Sequence, residues 1–508
     1  MTAITYEAPW PVYALAWSAS TSRSRKSTDE YEERNAQTLP DSTRLAVGSF
    51  VEEYTNRIHI LGAELDDHGE PCVSVLADTL HPYPATKLGF QPSTLFGKEH
   101  GSASAYDKHR SYGWQGSDAS LSRASSQSSA SSASQADTSE FVSDASDAYP
   151  DTELLASSAE CLHIWELTRN DAMDEMHQEY EGMSLSSSKR RTPPFALKEK
   201  CALAHAKNSS SPPAPLTSFS WNAPSPNLIV TSSIDTTCTI WDLNSRVALT
   251  QLIAHDREVY DVDWCPGSAD VFASVGADGS VRVFDLRNLE HSTIIYETNL
   301  HNEHDSTTYT SSSTAVPLLR IAFNPWDANY LATFHIESDT VQILDVRAPG
   351  SPILELRGHS GAVNSIAWGP PSQMQGRNGP SKGMVCTGGD DAQCLVYDMA
   401  STTLRSASAQ GRRSRNGHGG SPAAGAPDAL RIGAEVPVLA YTAPSMVNNV
   451  TWLRSPLSSR RTTHGKHHSF YRNLLPEWSD YTSPAAQGTG NADWLALCAG
   501  RAVKMLRV

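Results

Sequence analysis

The 508-residue chain has no apolar run near the eighteen residues that a membrane-crossing helix needs, so no membrane span is expected. Its start, MTAITYEAPW, has neither a basic n-region nor an apolar h-region, and no signal peptide is read there. Basic residues are outnumbered, 40 Lys and Arg against 56 Asp and Glu. A formal charge of −16 leaves no broad basic footprint for direct binding to nucleic acid. The eight cysteines contain no CxxC pair, and most fall in β-type runs: Cys238, Cys265, Cys386, Cys394 and Cys498. Reduced, buried thiols of a protein of the nucleus and cytoplasm are the expectation, with Cys386 and Cys394 free although they flank one turn.

Chemical motifs are missing too. There is no Walker loop, GxSxG elbow, HExxH or dinucleotide glycine pattern. The carboxylate pairs Glu52–Glu53, Asp66–Asp67 and Asp390–Asp391 are sequence neighbours in turns or loops, which does not define an acid–base site. We expect no enzyme, and no catalytic, cofactor-binding or metal-binding residues. His464, His467 and His468 lie in a loop without matching ligands.

What is present is a repeat. Residues 231–297 hold two successive units, each a β-branched run ending in a hydroxyl, an Asp turn, and a second β run closing on an aromatic and an Asp. Thr231, Asp235, Trp241 and Asp242 mark the first unit, and Ser274, Asp278, Phe284 and Asp285 the second. Equal spacing in the two signals WD repeats, and so a β-propeller. The third strand of each unit recurs seven times, at 57–62, 161–167, 238–243, 281–287, 341–347, 394–399 and 502–508. Each has an alternating inner strand upstream, at 11–18, 85–92, 216–222, 259–266, 318–325, 363–370 and 447–454. The fold class is all-β, a seven-bladed propeller spanning 1–508 as one domain. The last repeat lacks an outer strand, and TAITYE (2–7) is expected to supply it and close the ring.

A WD repeat carries a hydrogen-bonded chain of His, Asp, Ser or Thr, and Trp. Here Thr231, Asp235 and Trp241 lack a His; His255, Ser274 and Asp278 end on Phe284; and His359, Thr387 and Asp391 end on Tyr397. A structural role for these histidines outweighs catalysis. Long insertions rich in Ser, or basic, break the scaffold at 19–43, 93–150, 168–193, 299–315, 400–435 and 455–492, with shorter ones at 204–213 and 371–383. Their low apolar content predicts disorder. Most join the first strand to the second or follow the third, so they leave from one rim, the bottom. The top is then the cleaner docking surface, and Glu52, Glu53, Tyr54, Tyr83, Asp256, Arg257 and Tyr260 are its candidate contacts. The basic clusters at 186–194, 411–419 and 459–468 suit nuclear import or solvated loops, and Thr192–Pro193 suits a proline-directed kinase.

The strings YEAPWPVYALAWS (6–18), LAVGSFVEEYTNRI (45–58), HPYPATKL (81–88), TSSIDTTCTIWDL (231–243), QLIAHDREVYD (251–261) and ASVGADGSVRVFDLRNLEHSTIIYE (273–297) are far more specific than the repeat alone. On them the chain resembles the WD-repeat family of plant Transparent Testa Glabra and the animal cullin-4-associated, DYRK-kinase-binding factor, as a fungal-type member with long insertions. The resemblance implies a non-enzymatic scaffold, monomeric within complexes, for DYRK- or HIPK-type kinases or for MYB and helix-loop-helix regulators. The alternative it implies is a substrate receptor of a cullin-4 ubiquitin ligase. For that role Asp285 with Arg287, and Asp345 with Arg347, match the receptors' Asp-any-Arg motif as contacts for the ligase adaptor. A local Asp–Arg pair is the competing reading of the same residues.

Overall fold

The computed structural model describes residues 3–18, 43–51, 55–65, 71–92, 152–170, 193–204, 213–298, 315–370, 383–399, 433–453 and 494–508. Every regular element among the described residues is a strand. Strand β1 (Ala3–Glu7) precedes the first blade, formed by β2 (Val12–Trp17), β3 (Arg44–Ser49), β4 (Asn56–Leu65) and β5 (Pro71–His81). The second blade is β6 (Lys87–Phe90), β7 (Thr152–Ser158), β8 (Leu162–Arg169) and β9 (Phe195–Leu203). The third is β10 (Leu216–Trp221), β11 (Leu228–Ser233), β12 (Thr237–Asp242) and β13 (Val247–Ile253). The fourth is β14 (Val259–Trp264), β15 (Val271–Gly276), β16 (Ser280–Asp285) and β17 (Asn288–Glu297). The fifth holds β18 (Leu318–Phe323), β19 (Tyr330–His335), β20 (Val341–Asp345) and β21 (Leu354–Leu356). The sixth holds β22 (Val363–Trp368), β23 (Met384–Gly389) and β24 (Gln393–Asp398). Strand β25 (Gly433–Glu435) then adds to the fifth blade before β26 (Leu439–Thr442) completes the sixth. In the seventh, β27 (Asn449–Trp452), β28 (Trp494–Ala499) and β29 (Ala502–Arg507) are joined by β1. The fold is the expected seven-bladed propeller, closed by its N-terminal strand.

Position in the blade explains composition. Second strands such as β11, β15 and β28 are buried at every residue, because neighbouring blades cover both faces. They read as unbroken runs of apolar and small residues. Inner strands such as β14 keep one face toward the axis, and outer strands are more open, β13 mostly half-buried and β17 largely exposed. Seven apolar clusters fill the seven interfaces between blades. The one between the last and first blades holds Ile4, Ala8, Trp10, Val12, Trp494 and Met505.

Closure rests on antiparallel pairing of β1 with β29, from Ala3 opposite Leu506 to Glu7 opposite Ala502. The Tyr6 hydroxyl meets His59 Nδ1 at 2.9 Å, and the Trp10 ring lies 4.8 Å from the His59 ring, so the segment is held on the first blade as well.

Two of the stretches read as insertions are narrower than expected. Residues 168–169 extend β8, and 433–435 form β25, which pairs in parallel with β21. β21 is a three-residue edge strand, and a further strand covers the backbone groups it would leave open. Most of the remaining insertion residues lie outside the described residues, as do His464, His467 and His468. The turn of the fourth blade uses Gly279 at φ +72°, while the equivalent turns of the third and sixth blades force Thr236 (φ +73°) and Ala392 (φ +61°) into the same left-handed region.

Ile4 is 5 % exposed, so Ile4→Ala should cost about 2–4 kcal/mol in urea unfolding. Removal of residues 1–8 should cost more, and an unchanged melting temperature for that truncation would contradict closure by β1. Ala392→Gly should raise stability by about 0.5–1 kcal/mol, since relief of left-handed strain outweighs the added chain entropy.

Candidate protein-docking surface

The antiparallel order puts all second-to-third turns, and all links from one blade to the next, on one rim, the top. Its framework is polar. His255 follows β13 of the third blade but bonds into the fourth, with Nδ1 2.9 Å from Asp278 Oδ1 and Nε2 2.7 Å from Ser274 Oγ. His359 repeats this from the fifth blade into the sixth, meeting Asp391 at 3.0 Å and Thr387 at 2.7 Å. Both histidines therefore staple neighbouring blades together. The Phe284 ring, where a Trp was expected, stacks on Phe272 at 5.0 Å, and the Tyr397 hydroxyl donates to the Arg357 carbonyl.

Burial opposes ionisation of Asp278. Hydrogen bonds from His255 and Ser280 overcome it and hold the carboxyl well below its usual range. Asp391 is likewise lowered, against burial, by the Ser360 N–H and by His359.

In the third blade Trp241 Nε1 donates to Thr231 Oγ1 at 3.0 Å, and Asp235 accepts from the Thr237 hydroxyl at 2.6 Å. A further relay, absent from the sequence reading, joins the first two blades. His81 Nε2 lies 2.9 Å from Ser157 Oγ, which also accepts from Trp165 Nε1 at 2.9 Å. The signal was present in HPYPATKL, but this hairpin pairs Ser157 with His163, whereas Thr231 pairs with Thr239, so its spacing is two residues shorter.

Around the axis the inner strands are stitched by side chains. Asp261 accepts from the Ser218 hydroxyl on one side and from the Ile321 N–H on the other, at 2.5 and 3.0 Å. Two residues on, Asp263 accepts from the Ser220 hydroxyl and the Phe323 N–H, both at 2.9 Å. Lys87 approaches Asp261 from the second blade at 3.3 Å, and Arg320 of the fifth blade reaches the Tyr13 hydroxyl of the first at 2.6 Å. Burial raises both carboxyl pKa values. Lys87 and Arg320 outweigh it at Asp261, which is lowered, while burial prevails at Asp263, which is raised. These inward polar groups are engaged with the scaffold itself.

The top rim carries exposed apolar side chains that the sequence reading had missed. Phe50, Ile234 and Ile336 sit in second-to-third turns, and Ile253, Val316 and Met446 at links between blades. Ile253 is 81 % exposed. Each sits at the end of a β-type run and so reads as strand core in one dimension. Of the expected contacts, Tyr83 is exposed on this rim, Arg257 is exposed, and Tyr260 is half-buried at an irregularity in the pairing of β14 with β15. Asp256 is exposed but tied to Arg282 at 2.7 Å. Glu52, Glu53 and Tyr54 lie outside the described residues.

Asp285 and Arg287 form a local two-toothed pair. Arg287 Nε and Nη2 donate to the two carboxylate oxygens at 2.8 and 2.7 Å, and its N–H adds a third bond at 3.0 Å. Asp345 and Arg347 repeat the pattern on the next blade. There the guanidinium also donates to the Tyr330 hydroxyl at 3.0 Å and lies over its ring. Both pairs stand on the bottom rim, and both arginines keep part of their side chain exposed, 25 and 34 %.

The profile of the WD domain, G-beta repeat matches residues 246–285 and 350–398. A Dictyostelium discoideum protein described as a DDB1- and CUL4-associated factor 7 homolog is 35 % identical over 78 % of this chain and 84 % of its own length. The chain belongs to this WD-repeat family. A WD repeat-containing protein of Schizosaccharomyces pombe is 34 % identical over 78 % of this chain and 69 % of its own length. One of Saccharomyces cerevisiae is 39 % identical over 55 and 53 %. The two profile matches enclose two His–Ser/Thr–Asp relays seen among the described residues, His255 with Ser274 and Asp278, and His359 with Thr387 and Asp391.

Replacing His255 by Ala takes the histidine from Ser274 and Asp278, although Asp278 keeps Ser280 and Arg282, and should cost about 1–3 kcal/mol in urea unfolding. Because the folded-state pKa values of Asp278 and Asp391 are depressed, their contribution is full above about pH 4 and is lost as pH falls through the lower folded values. Asp278→Asn with Asp391→Asn should therefore lower stability at pH 7 and weaken its dependence on pH below 4.

Proposed function

We propose that the protein is a scaffold that assembles regulatory complexes by docking protein partners on its top rim. The observation that carries this is the set of apolar side chains exposed at turns of several blades, on the rim free of most of the long insertions. Membership of a WD-repeat family supports a protein-interaction scaffold, and the matching profile is a repeat module, with no enzyme family indicated. The partner classes are DYRK- or HIPK-type kinases, or MYB and helix-loop-helix regulators, as the sequence resemblance implies. All eight cysteines are free, which suits the reducing nucleus and cytoplasm where such partners act.

A second reading is favoured by the two Asp–Arg pairs and by the description of the Dictyostelium relative. In it the bottom rim binds a cullin-4 ligase adaptor through Arg287 and Arg347, and the top rim receives the substrate. The two readings share a ring and differ in which rim is essential.

Affinity capture from the native cell separates them. Ile253→Asp with Met446→Asp should remove kinase or transcription-factor partners and leave the melting temperature within about a degree, both sites being exposed. Arg287→Glu with Arg347→Glu should leave those partners bound and cost about 2–5 kcal/mol in binding of the ligase adaptor. Unchanged capture by the folded first variant refutes top-rim docking, and unchanged adaptor capture by the second removes the ligase assignment.

A further inference from the structure

The tight turn of the second blade brings together donors that none of the relays uses. Glu160 and Cys161 lie between β7 and β8, and His163 is the second residue of β8. His163 Nε2 faces Glu160 Oε1 at 3.0 Å and Cys161 Sγ at 3.3 Å together. Its other nitrogen, Nδ1, faces Glu199 Oε1 at 2.8 Å from the neighbouring β9. The ring is fixed between Trp165, stacked at 5.9 Å, and the edge of His81 at 5.1 Å. His81 takes no part, since its own nitrogens meet Ser157 and the Tyr83 carbonyl.

The proton count on this ring is informative. A carboxylate only accepts, so Nδ1 carries the proton toward Glu199. In a neutral imidazole Nε2 then presents a lone pair on which the Cys161 sulfur and a Glu160 oxygen converge, so one nitrogen, one sulfur and one oxygen point at the same place. The second oxygen of Glu160, Oε2, is buried and has no hydrogen-bond partner. A divalent ion uses all three residues. Around a tetrahedral zinc-type ion, nitrogen and sulfur lie about 3.5 Å apart and nitrogen and oxygen about 3.4 Å. The two contacts of His163 Nε2 are thus within a few tenths of an ångström of that geometry, and the three ligand atoms all lie within 4.8 Å of one another.

We propose that Glu160, Cys161 and His163 bind one divalent ion of the zinc class, with Glu199 orienting the histidine from behind. Thiolate, imidazole and carboxylate together suit zinc better than magnesium or calcium. A carboxylate on the far nitrogen is the usual support of a metal-bound histidine. A cavity of about 20 Å³ lined by Glu160, Cys161, Thr237 and Gln251 has room for one water as a fourth ligand. Without the ion, burial and the nearby Glu160 and Glu199 raise the thiol to about 12, so binding releases its proton to solvent and forms the metal–thiolate bond. The ion would pin this turn of the top rim to the outer strand of its own blade.

The test uses the full chain stripped with chelator and titrated with Co²⁺. One equivalent should give the near-ultraviolet thiolate-to-cobalt band and the visible bands of tetrahedral cobalt, and Zn²⁺ should displace it. Cys161→Ser should lose the thiolate band. Glu160→Gln, at a partly exposed turn position where folding is safe, should weaken binding at least about tenfold, and Glu199→Gln by about 10–100-fold. Replacing His464, His467 and His468 by Ala should leave the band intact. Three outcomes overturn the site: no thiolate band from folded wild type, a band that survives in Cys161→Ser, or a doubly protonated His163 by NMR in the presence of Zn²⁺.

Discussion

The pairing of β1 with β29 is the constraint on which the ring depends. Each of the other interfaces joins blades that follow one another in the chain, so local folding can form it. The interface between the last and first blades must join residues nearly 500 positions apart, such as Ile4 with Met505. Loop-closure entropy grows only with the logarithm of length, about 0.6 kcal/mol per doubling, so the distance itself costs little. The remaining requirement is an interface good enough to hold, and Ile4, Ala8 and Trp10 supply the apolar part while Tyr6 and His59 fix the orientation. The same logarithm explains why long segments between β6 and β7, or between β27 and β28, are tolerated.

Closure also fixes what the two rims and the axis can do. Once the ring is shut, the inward side chains of neighbouring inner strands face one another with no backbone ladder between them. Asp261 and Asp263 fill that role by accepting from a serine on one side and a backbone N–H on the other. Arg320 reaches across to Tyr13 on a blade that is not its neighbour. The axis thereby becomes a second set of fastenings. The surface left for recognition is the rims, where the top offers scattered apolar side chains and the bottom two equivalent guanidinium groups.

The parts of this architecture legible in one dimension are those that recur at fixed spacing. Third strands such as CTIWDL and VRVFDLR count the blades, because a buried strand ending on an aromatic and an Asp is set by its own hairpin. His255 and His359 were legible for the same reason. Features made by residues from different blades were not. Asp261 meets Ser218 and Ile321, each tens of residues away, and nothing in VYDVDW names those partners. β25 is three residues at the end of a low-complexity stretch, and only the open edge of β21 makes it a strand. The relay of His81, Ser157 and Trp165 was hidden by a hairpin two residues tighter than its relatives. The same tight turn sets Glu160 and Cys161 against His163.

The two Asp–Arg pairs show how a local contact and a docking role can share residues. A free arginine loses up to about 2 kcal/mol of rotamer entropy when a partner fixes it. Arg287 and Arg347 have already lost it, since the fork of each is closed on its own aspartate and Arg347 also rests on Tyr330. The aspartate fixes each guanidinium through Nε and Nη2. A partner carbonyl or carboxylate meeting either guanidinium would bind a group whose direction is set by folding. The competing readings of these residues, structural pair or binding contact, are therefore not exclusive. The pair is the device that would make the contact inexpensive in entropy, and its repetition on adjacent blades sets two such guanidinium groups on one rim.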